Sequence, residues 1–229
     1  MSSSMNDAVL IIPVYNEGTV IRKVVEEAKK VFPLVVCIDD GSTDNSIEQI
    51  ERTGAILLKH PINMGQGAAL QTGIEFARTL PGVNYFVTFD ADGQHCIKDA
   101  ASMVKKIKEE KVDIIFGSRF IGKTENMSRV KGVVLKLATW FSNITSGLRL
   151  TDTHNGLRVF NKHVACTMNI TVPDMAHASE ILEITSKNKY KYTEFPVTIR
   201  YTDYSKSKGQ SLVNAINIGF DILLRKILR

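Results

Sequence analysis

Short apolar runs alternate with helix-spaced segments through the first half of the chain, and this restricts the fold more than any other feature. The runs are Val9 to Ile12, Leu34 to Ile38, Ala55 to Leu58, Tyr85 to Phe89 and Ile114 to Phe116. Each has the length of a buried strand. Between them, helical spacing covers Glu17 to Phe32, a stretch capped by Ser42 or Thr43 and ending near Arg52, Gly67 to Arg78, and Ile97 to Glu110. In the third of these, Ala69, Gly73 and Ala77 are small enough for close packing. The alternation predicts an α/β fold with a mostly parallel sheet flanked by helices. Such sheets bind ligands beyond the carboxyl ends of their strands. Asp39, Asp40, Asp90, Asp92 and Ser118 stand at those ends.

The regularity breaks after Arg119. Ile121 to Ser128 reads as a polar linker, Arg129 to Ser146 as an apolar helix with a basic start, and Thr151 to Phe160 as irregular. Asp174 to Lys187 is helical in pattern, and Tyr192 to Ile199 is strand-like. A basic loop then runs from Arg200 to Gly209, before an amphipathic segment from Gln210 to Arg229.

Charge divides unevenly along the chain. Residues 1–118 hold 12 Lys and Arg against 16 Asp and Glu, and residues 119–229 hold 17 against 8. An acidic half suits a metal site and a basic half an anionic partner. Basic and aromatic residues do not interleave, so nucleic acid is not expected as a partner. No apolar run reaches the roughly 18 residues needed to span a bilayer. The short polar start is not a signal peptide. Three scattered cysteines fit a reduced, cytoplasmic setting.

Several clusters bear chemistry. Asp90 and Asp92, in Phe89-Asp-Ala-Asp-Gly-Gln-His95, offer a hard-cation site of the kind that holds magnesium or manganese with substrate phosphates; the same residues would also suit a helix start. Pro13, Tyr15 and Glu17 follow the first strand and suit either a nucleoside pocket or a helix cap. The doubled acid Asp39-Asp40 precedes Gly41, Ser42 and Thr43, and an acid there can accept from a pyrimidine ring N–H. Gly65 and Gly67, around Gln66, could open backbone amides toward an anion. Arg119, after Gly117-Ser118, can clamp a phosphate. Asp152, His154 and Arg158 belong to a loop too polar for a core. Glu180 stands among apolar neighbours, while Arg200, Lys206 and Lys208 are cations in a Ser- and Gly-containing loop.

Taken in order from Val9 to about Leu212, these motifs resemble those of family 2 glycosyltransferases, closest to the catalytic domains of dolichyl-phosphate mannose synthases and related polyprenyl-phosphate glycosyltransferases. The resemblance implies a single catalytic domain of GT-A type, with residues 1–118 binding a UDP- or GDP-linked sugar and 119–229 the acceptor. It implies that Pro13, Tyr15, Glu17 and one of Asp39 or Asp40 hold the nucleoside. Asp90, Asp92 and Gln94 would hold Mg2+ or Mn2+, and Arg119, Arg200 and Lys206 or Lys208 would meet phosphates. The acceptor is expected to be a polyprenyl phosphate. A sugar hydroxyl, as in polysaccharide or O-antigen synthesis, is the alternative and would need a base from Asp152, His154 or Glu180. Many relatives carry C-terminal membrane helices. This chain ends in one amphipathic segment, which implies peripheral contact with a membrane surface on the cytoplasmic side. A sugar nucleotidyltransferase would want a glycine-rich basic loop after the first strand, and Pro13 to Thr19 lacks one.

Overall fold

The computed structural model describes residues 5–174, 176–202 and 204. Lys206, Lys208 and the amphipathic segment from Gln210 to Arg229 lie outside the described residues. The chain runs β1 (Ala8–Val14), α1 (Ile21–Lys29), β2 (Leu34–Asp39), α2 (Ser46–Glu51), β3 (Ile56–Lys59), α3 (Gln66–Arg78) and β4 (Tyr85–Thr88). It continues with α4 (Ile97–Glu110), β5 (Ile114–Glu125), α5 (Arg129–Ser146), β6 (Arg158–Asn161), α6 (Lys162–Thr167), α7 (His177–Lys187) and β7 (Tyr192–Arg200).

The strands form one seven-stranded sheet in the order β3-β2-β1-β4-β6-β5-β7. Only β6 runs antiparallel to its neighbours among the described strands. Along β1 the side chains alternate between two cores. Leu10 and Ile12 face a layer containing Val25 of α1 and Met103 of α4. Val9 and Ile11 face a layer containing Ile74 of α3 and Ile181 of α7. A strand buried on both faces reads as an unbroken apolar run, which is why β1 and β2 are legible without alternation.

Three boundaries differ from the sequence reading. The expected linker at 121–128 is the far half of β5, which pairs with β7 from Lys123↔Thr198 to Glu125↔Arg200 beyond a register shift after Ser118. The shift sets residues 119–122 of β5 against Val197 alone on β7. The expected irregular stretch ends in β6, held between β4 and β5. Ser42 and Thr43 do not cap α2. Ser42 Oγ instead accepts from the Asn16 backbone N–H at 2.9 Å. The Asp44 carboxylate takes the Ser46 N–H at 2.9 Å and the Gly18 N–H at 2.9 Å. These bonds tie the turn after β1 to the turn after β2. Asn16 holds the left-handed conformation (φ 54°) that asparagine tolerates, and its Oδ1 accepts from the Thr43 N–H at 2.8 Å.

The small-residue face of α3 does what its sequence suggests. A methyl group on Gly73 would lie 2.5 Å from both Ile11 Cγ2 and Ile38 Cδ1. The helix therefore rests on β1 and β2 at a separation only glycine permits. Gly73→Ala is expected to cost ~1–3 kcal/mol through overpacking. A urea titration followed by circular dichroism should show the midpoint falling, and an unchanged midpoint would mean that α3 can lift off the sheet without cost.

Candidate active site

The carboxyl ends of β1, β2 and β4 open onto a cleft of about 610 Å³. Pro13, Tyr15 and Glu17 line one side of it, with Asp40 nearby. Asp90, Asp92 and Gln94 line it after β4, and His154 faces it from the loop before β6. The first halves of α3 and α7 contribute Gln66 and His177. The Glu17 carboxylate accepts from the Tyr204 hydroxyl at 2.7 Å, which brings the chain after β7 back across the turn that follows β1.

The two adjacent acids divide their work. Asp40 is saturated. It accepts from the backbone N–H groups of Met64 at 2.9 Å and Gly65 at 2.8 Å, and it meets His60 Nδ1 at 2.7 Å. It therefore shapes the loop before α3. Asp39 is buried; its Oδ2 accepts from the Ser42 N–H at 3.1 Å, while its Oδ1 meets no donor among the described residues. A buried acceptor left unpaired costs ~1–3 kcal/mol.

Around Asp90 the charges are dense. Its Oδ2 lies 2.8 Å from His95 Nε2, and its Oδ1 lies 3.3 Å from Gln66 Nε2. A Cβ on Gly156 would sit 2.2 Å from Asp90 Oδ2, so the loop before β6 closes directly on the carboxylate. Burial pushes the Asp90 carboxyl up, but His95, Arg158 and His177 outweigh it and hold the group below the ordinary carboxylate range. Asp92 is shifted the other way. Burial raises it, and repulsion from Asp90 and Glu17 adds to the rise. Two carboxylates so placed lack one positive charge.

That deficit fits a divalent cation. Among the described residues no three His, Cys, Asp or Glu side chains converge as a ready-made ligand set. Oxygen ligands from two carboxylates, completed by water and substrate phosphates, are what Mg2+ and Mn2+ accept. Gln94, expected as a third ligand, has its backbone N–H on Asp92 Oδ1 at 3.0 Å and its amide on Asp92 Oδ2, so it orients the carboxylate.

Five expected site residues do not line the cleft, and the first is Asp39, buried at the end of β2. Arg119 does not line the cleft. Its Nε donates to Asp152 Oδ2 at 2.6 Å and its Nη1 to the Tyr201 hydroxyl at 2.7 Å, all buried. Asp152 is consumed by that pair and also accepts from the Arg119 backbone N–H at 3.0 Å. Glu180 lies outside the cleft, where its carboxylate accepts from the backbone N–H groups of Thr171 at 3.0 Å and Val172 at 2.9 Å. Arg200 pairs with Glu125 at 3.3 Å on the surface, though its backbone N–H donates to the Gln94 carbonyl at 3.0 Å. The polar loop from Asp152 to Arg158, expected to be solvated, is largely core: Asp152, Thr153, Asn155 and Arg158 are all buried. The amides at the start of α3 are not open to an anion either, because the Gly67 N–H donates to the Pro173 carbonyl at 2.5 Å.

Residues 9–166 match the family described as Glycosyl transferase family 2. The chain belongs to that family. It is 31% identical to a UDP-N-acetylglucosamine--dolichyl-phosphate N-acetylglucosaminyltransferase of Methanococcus voltae, over 95% of each chain. It is 30% identical to a dolichyl-phosphate beta-glucosyltransferase of Trichomonas vaginalis, over 89% of this chain and 68% of the relative. Its fold is that of the glucosyl-3-phosphoglycerate synthase of Mycobacterium tuberculosis crystallised with Mn2+, UDP and phosphoglyceric acid. The TM-score is 0.73 at 14% identity, over 95% of this chain and 76% of that one. The sheet is thus of GT-A type, and the chain is a glycosyltransferase.

This glycosyltransferase places two further residues in the cleft, Arg158, read from sequence only as part of a polar loop, and His177, which sequence reasoning missed. Arg158 is fully buried on β6, and burial pushes it down to about 10 against the pull of Asp90 and Asp152. Its only sequence signal was its place at the end of a polar run. His177 opens α7, with Nδ1 2.8 Å from the Asp174 carbonyl, and nothing in its local sequence marks it.

Burial pushes both His154 and His177 down to about 4, with Arg158 adding repulsion to each. Both are therefore neutral at pH 7. In the unfolded chain a histidine titrates near 6.5. Between about pH 6.5 and 4 the unfolded state binds the extra protons, so folding weakens as pH falls. The stability these groups contribute is complete above about pH 6.5. It falls by ~1.4 kcal/mol per pH unit for each histidine down to about pH 4. Urea midpoints measured across that window should decline, and His177→Asn should flatten the decline. A slope unaffected by that substitution would place the acid sensitivity elsewhere.

Proposed function

We propose that the enzyme transfers one sugar from a nucleotide-diphosphate sugar to a polyprenyl phosphate, inverting the anomeric centre. The observation that carries this reading is the state of the three candidate bases. Asp152 is locked to Arg119, Glu180 faces away from the cleft, and His154 is held neutral with a basicity too low to take a proton effectively at pH 7. A sugar hydroxyl needs such a base. A lipid monophosphate does not, because its second pKa of about 6 leaves it mostly dianionic. The two dolichyl-phosphate relatives support the same acceptor.

In this reading a phosphate oxygen of the acceptor bonds to the anomeric carbon from the face opposite the leaving group. The bond from that carbon to the donor diphosphate breaks, and the nucleoside diphosphate leaves with the electron pair. Asp90 and Asp92 would hold the divalent ion, which when bound neutralises the leaving diphosphate as a Lewis acid. Asp39 is favoured over Asp40 for the nucleobase, because its unpaired Oδ1 would gain a donor from a ring N–H. Tyr15 offers an exposed ring for stacking, and Glu17 an acceptor near the ribose. Arg119 would hold the loop of Asp152 in place rather than clamp phosphate. Arg200, in an exposed ion pair of little worth, is available to reach donor phosphates together with Lys206 or Lys208. The Methanococcus voltae relative is named for a UDP-linked donor, which supports uridine.

The test is nucleoside diphosphate release with Mn2+ or Mg2+ from UDP- and GDP-linked sugars, with polyprenyl phosphate, with a lipid-linked sugar, or with neither. Release should rise only with polyprenyl phosphate. Asp92→Ala should lower it on the order of 100-fold or more. Asp39→Asn should raise the donor KM on the order of 10-fold with less effect on kcat. Turnover with the lipid-linked sugar alone would replace this reading by that of a hydroxyl-acceptor enzyme.

A further inference from the structure

The inner wall of the cleft carries two polar atoms that the described residues leave without a hydrogen bond. Arg158 is 2% exposed and His177 is 3% exposed, yet both line the cleft. Arg158 Nε is buried and has no partner. Asp90 and Asp152 balance the charge of the guanidinium, but neither takes the Nε–H. A buried donor left unmade is costly, so this one suits an acceptor that arrives with a ligand. His177 Nδ1 lies 2.8 Å from the Asp174 carbonyl, which can only accept, so the ring hydrogen sits on Nδ1. A second proton would set another positive charge beside Arg158 in a buried place, and burial and Arg158 both oppose it. Nε2 is therefore a lone-pair acceptor. Among the described residues nothing donates to it. A Cβ on Gly67 would lie 2.9 Å from His177 Cβ, so α3 packs closely against the root of this side chain.

One donor and one acceptor thus meet the same cleft, and together they select among the groups a sugar can carry. A carboxylate offers acceptors to Arg158 but no hydrogen to His177, and it adds negative charge near Asp90 and Asp92. A protonated amine repels Arg158. A hydroxyl serves both only where both converge on its single oxygen. A secondary amide supplies a C=O for Arg158 and an N–H for His177 on separate atoms. Ala69 of α3 and Ala178 of α7 also line the cleft and offer apolar surface to the methyl of an acetamido group. The position on the sugar follows from Asp90. The anomeric carbon is bonded to the diphosphate whose ion Asp90 and Asp92 would hold. Arg158 and His177 both act on Asp90, so the substituent nearest to them is the one on the adjoining carbon, C2.

We propose that Arg158 and His177 read the acetamido group of a 2-acetamido-2-deoxy sugar in the donor, Arg158 Nε–H donating to its carbonyl and its N–H donating to His177 Nε2. This rests on the nucleotide-sugar donor of the function proposed above and needs nothing of the acceptor. A site built to hydrogen-bond a substrate group rejects the analogue that lacks it, because its own buried polar atoms are then left unpaired. The same two residues therefore set sugar specificity.

The test is calorimetric binding to the full chain with Mn2+ and no acceptor, so that only the donor site is read. The ligands are UDP, UDP-glucose, UDP-glucuronic acid, UDP-N-acetylglucosamine, and the ketone analogue of the last in which CH2 replaces N–H. UDP-N-acetylglucosamine should bind about tenfold or more tighter than UDP-glucose, UDP-glucuronic acid and the ketone. In His177→Phe, which keeps a ring but has no acceptor, the amide and the ketone should bind alike. UDP shows whether that variant has kept its fold; where it has not, the wild-type comparison of amide with ketone decides. Equal binding of UDP-N-acetylglucosamine and UDP-glucose would overturn the proposal. So would tighter binding of UDP-glucuronic acid, equal binding of amide and ketone by the wild type, or a preference for the amide that persists in folded His177→Phe. Failure of UDP itself to bind the wild type would instead overturn the uridine-donor reading, and this inference with it.

Discussion

Arg158 is a guanidinium buried in the sheet, and such a charge persists only where anions surround it. Asp90 and Asp152 supply them, one from the loop after β4 and one from the loop before β6. The antiparallel insertion of β6 between β4 and β5 brings these elements together, since Arg158 sits opposite Thr88 on one side and Phe116 on the other. Asp152 then answers to a second cation, Arg119, whose charge is held by Asp152 and Tyr201 although burial opposes it. Charges of alternating sign, Asp90, Arg158, Asp152 and Arg119, thus act on one another around the cleft, and Arg119 and Asp152 form a direct ion pair at 2.6 Å. Removing either partner of the Arg119–Asp152 pair leaves a buried charge unpaired, a larger penalty than losing any single surface contact.

This arrangement gives the cleft its polarity. Asp90, held by the cations beneath it, remains ionised, and its charge in turn opposes ionisation of Asp92. The histidines on the rim cannot relieve that repulsion, because burial and Arg158 keep them neutral. A bound cation would relieve the repulsion that raises Asp92. Immediately beside it, the fully occupied Asp40 fixes the loop before α3. Asp39, its neighbour in sequence, is buried and keeps one oxygen without a donor among the described residues.

The parallel part of this architecture was legible because each strand from β1 to β4 is a short apolar run with a polar stop, and no tertiary partner is needed to see it. The motif acids at the strand ends were legible for the same reason. β6 was not, because its four residues, Arg158 to Asn161, begin with a charged side chain that only the neutralising acids make tolerable in a core. The far half of β5 was hidden by its alternating burial, since Ile121, Lys123 and Glu125 are exposed while the residues between them are half-buried. Arg119 carried the right residue type at a strand end, but its partner is 33 positions away in sequence. Likewise, Asp39 and Asp40 look equivalent in sequence. They differ only in which donors the folded loops present to them.

The uneven charge along the chain takes on a spatial meaning once the fold is known. Glu17, Asp40, Asp90 and Asp92 of the first half meet at the strand ends because the parallel sheet aligns those ends on one edge. The cations of the second half cannot all serve the cleft. Arg119 and Arg158 are spent on buried acids, while Arg129 and Lys136 face outward on α5. A helix whose buried face is small and polar adds little burial energy to the fold. Val130, Val133, Leu137, Trp140 and Ile144 are exposed, while Val134, Leu135 and Phe141 are only half-buried. The inner face of the helix nonetheless touches the loop that lines the cleft, where Thr139 meets Thr153 beside His154, so α5 helps to hold that loop in place.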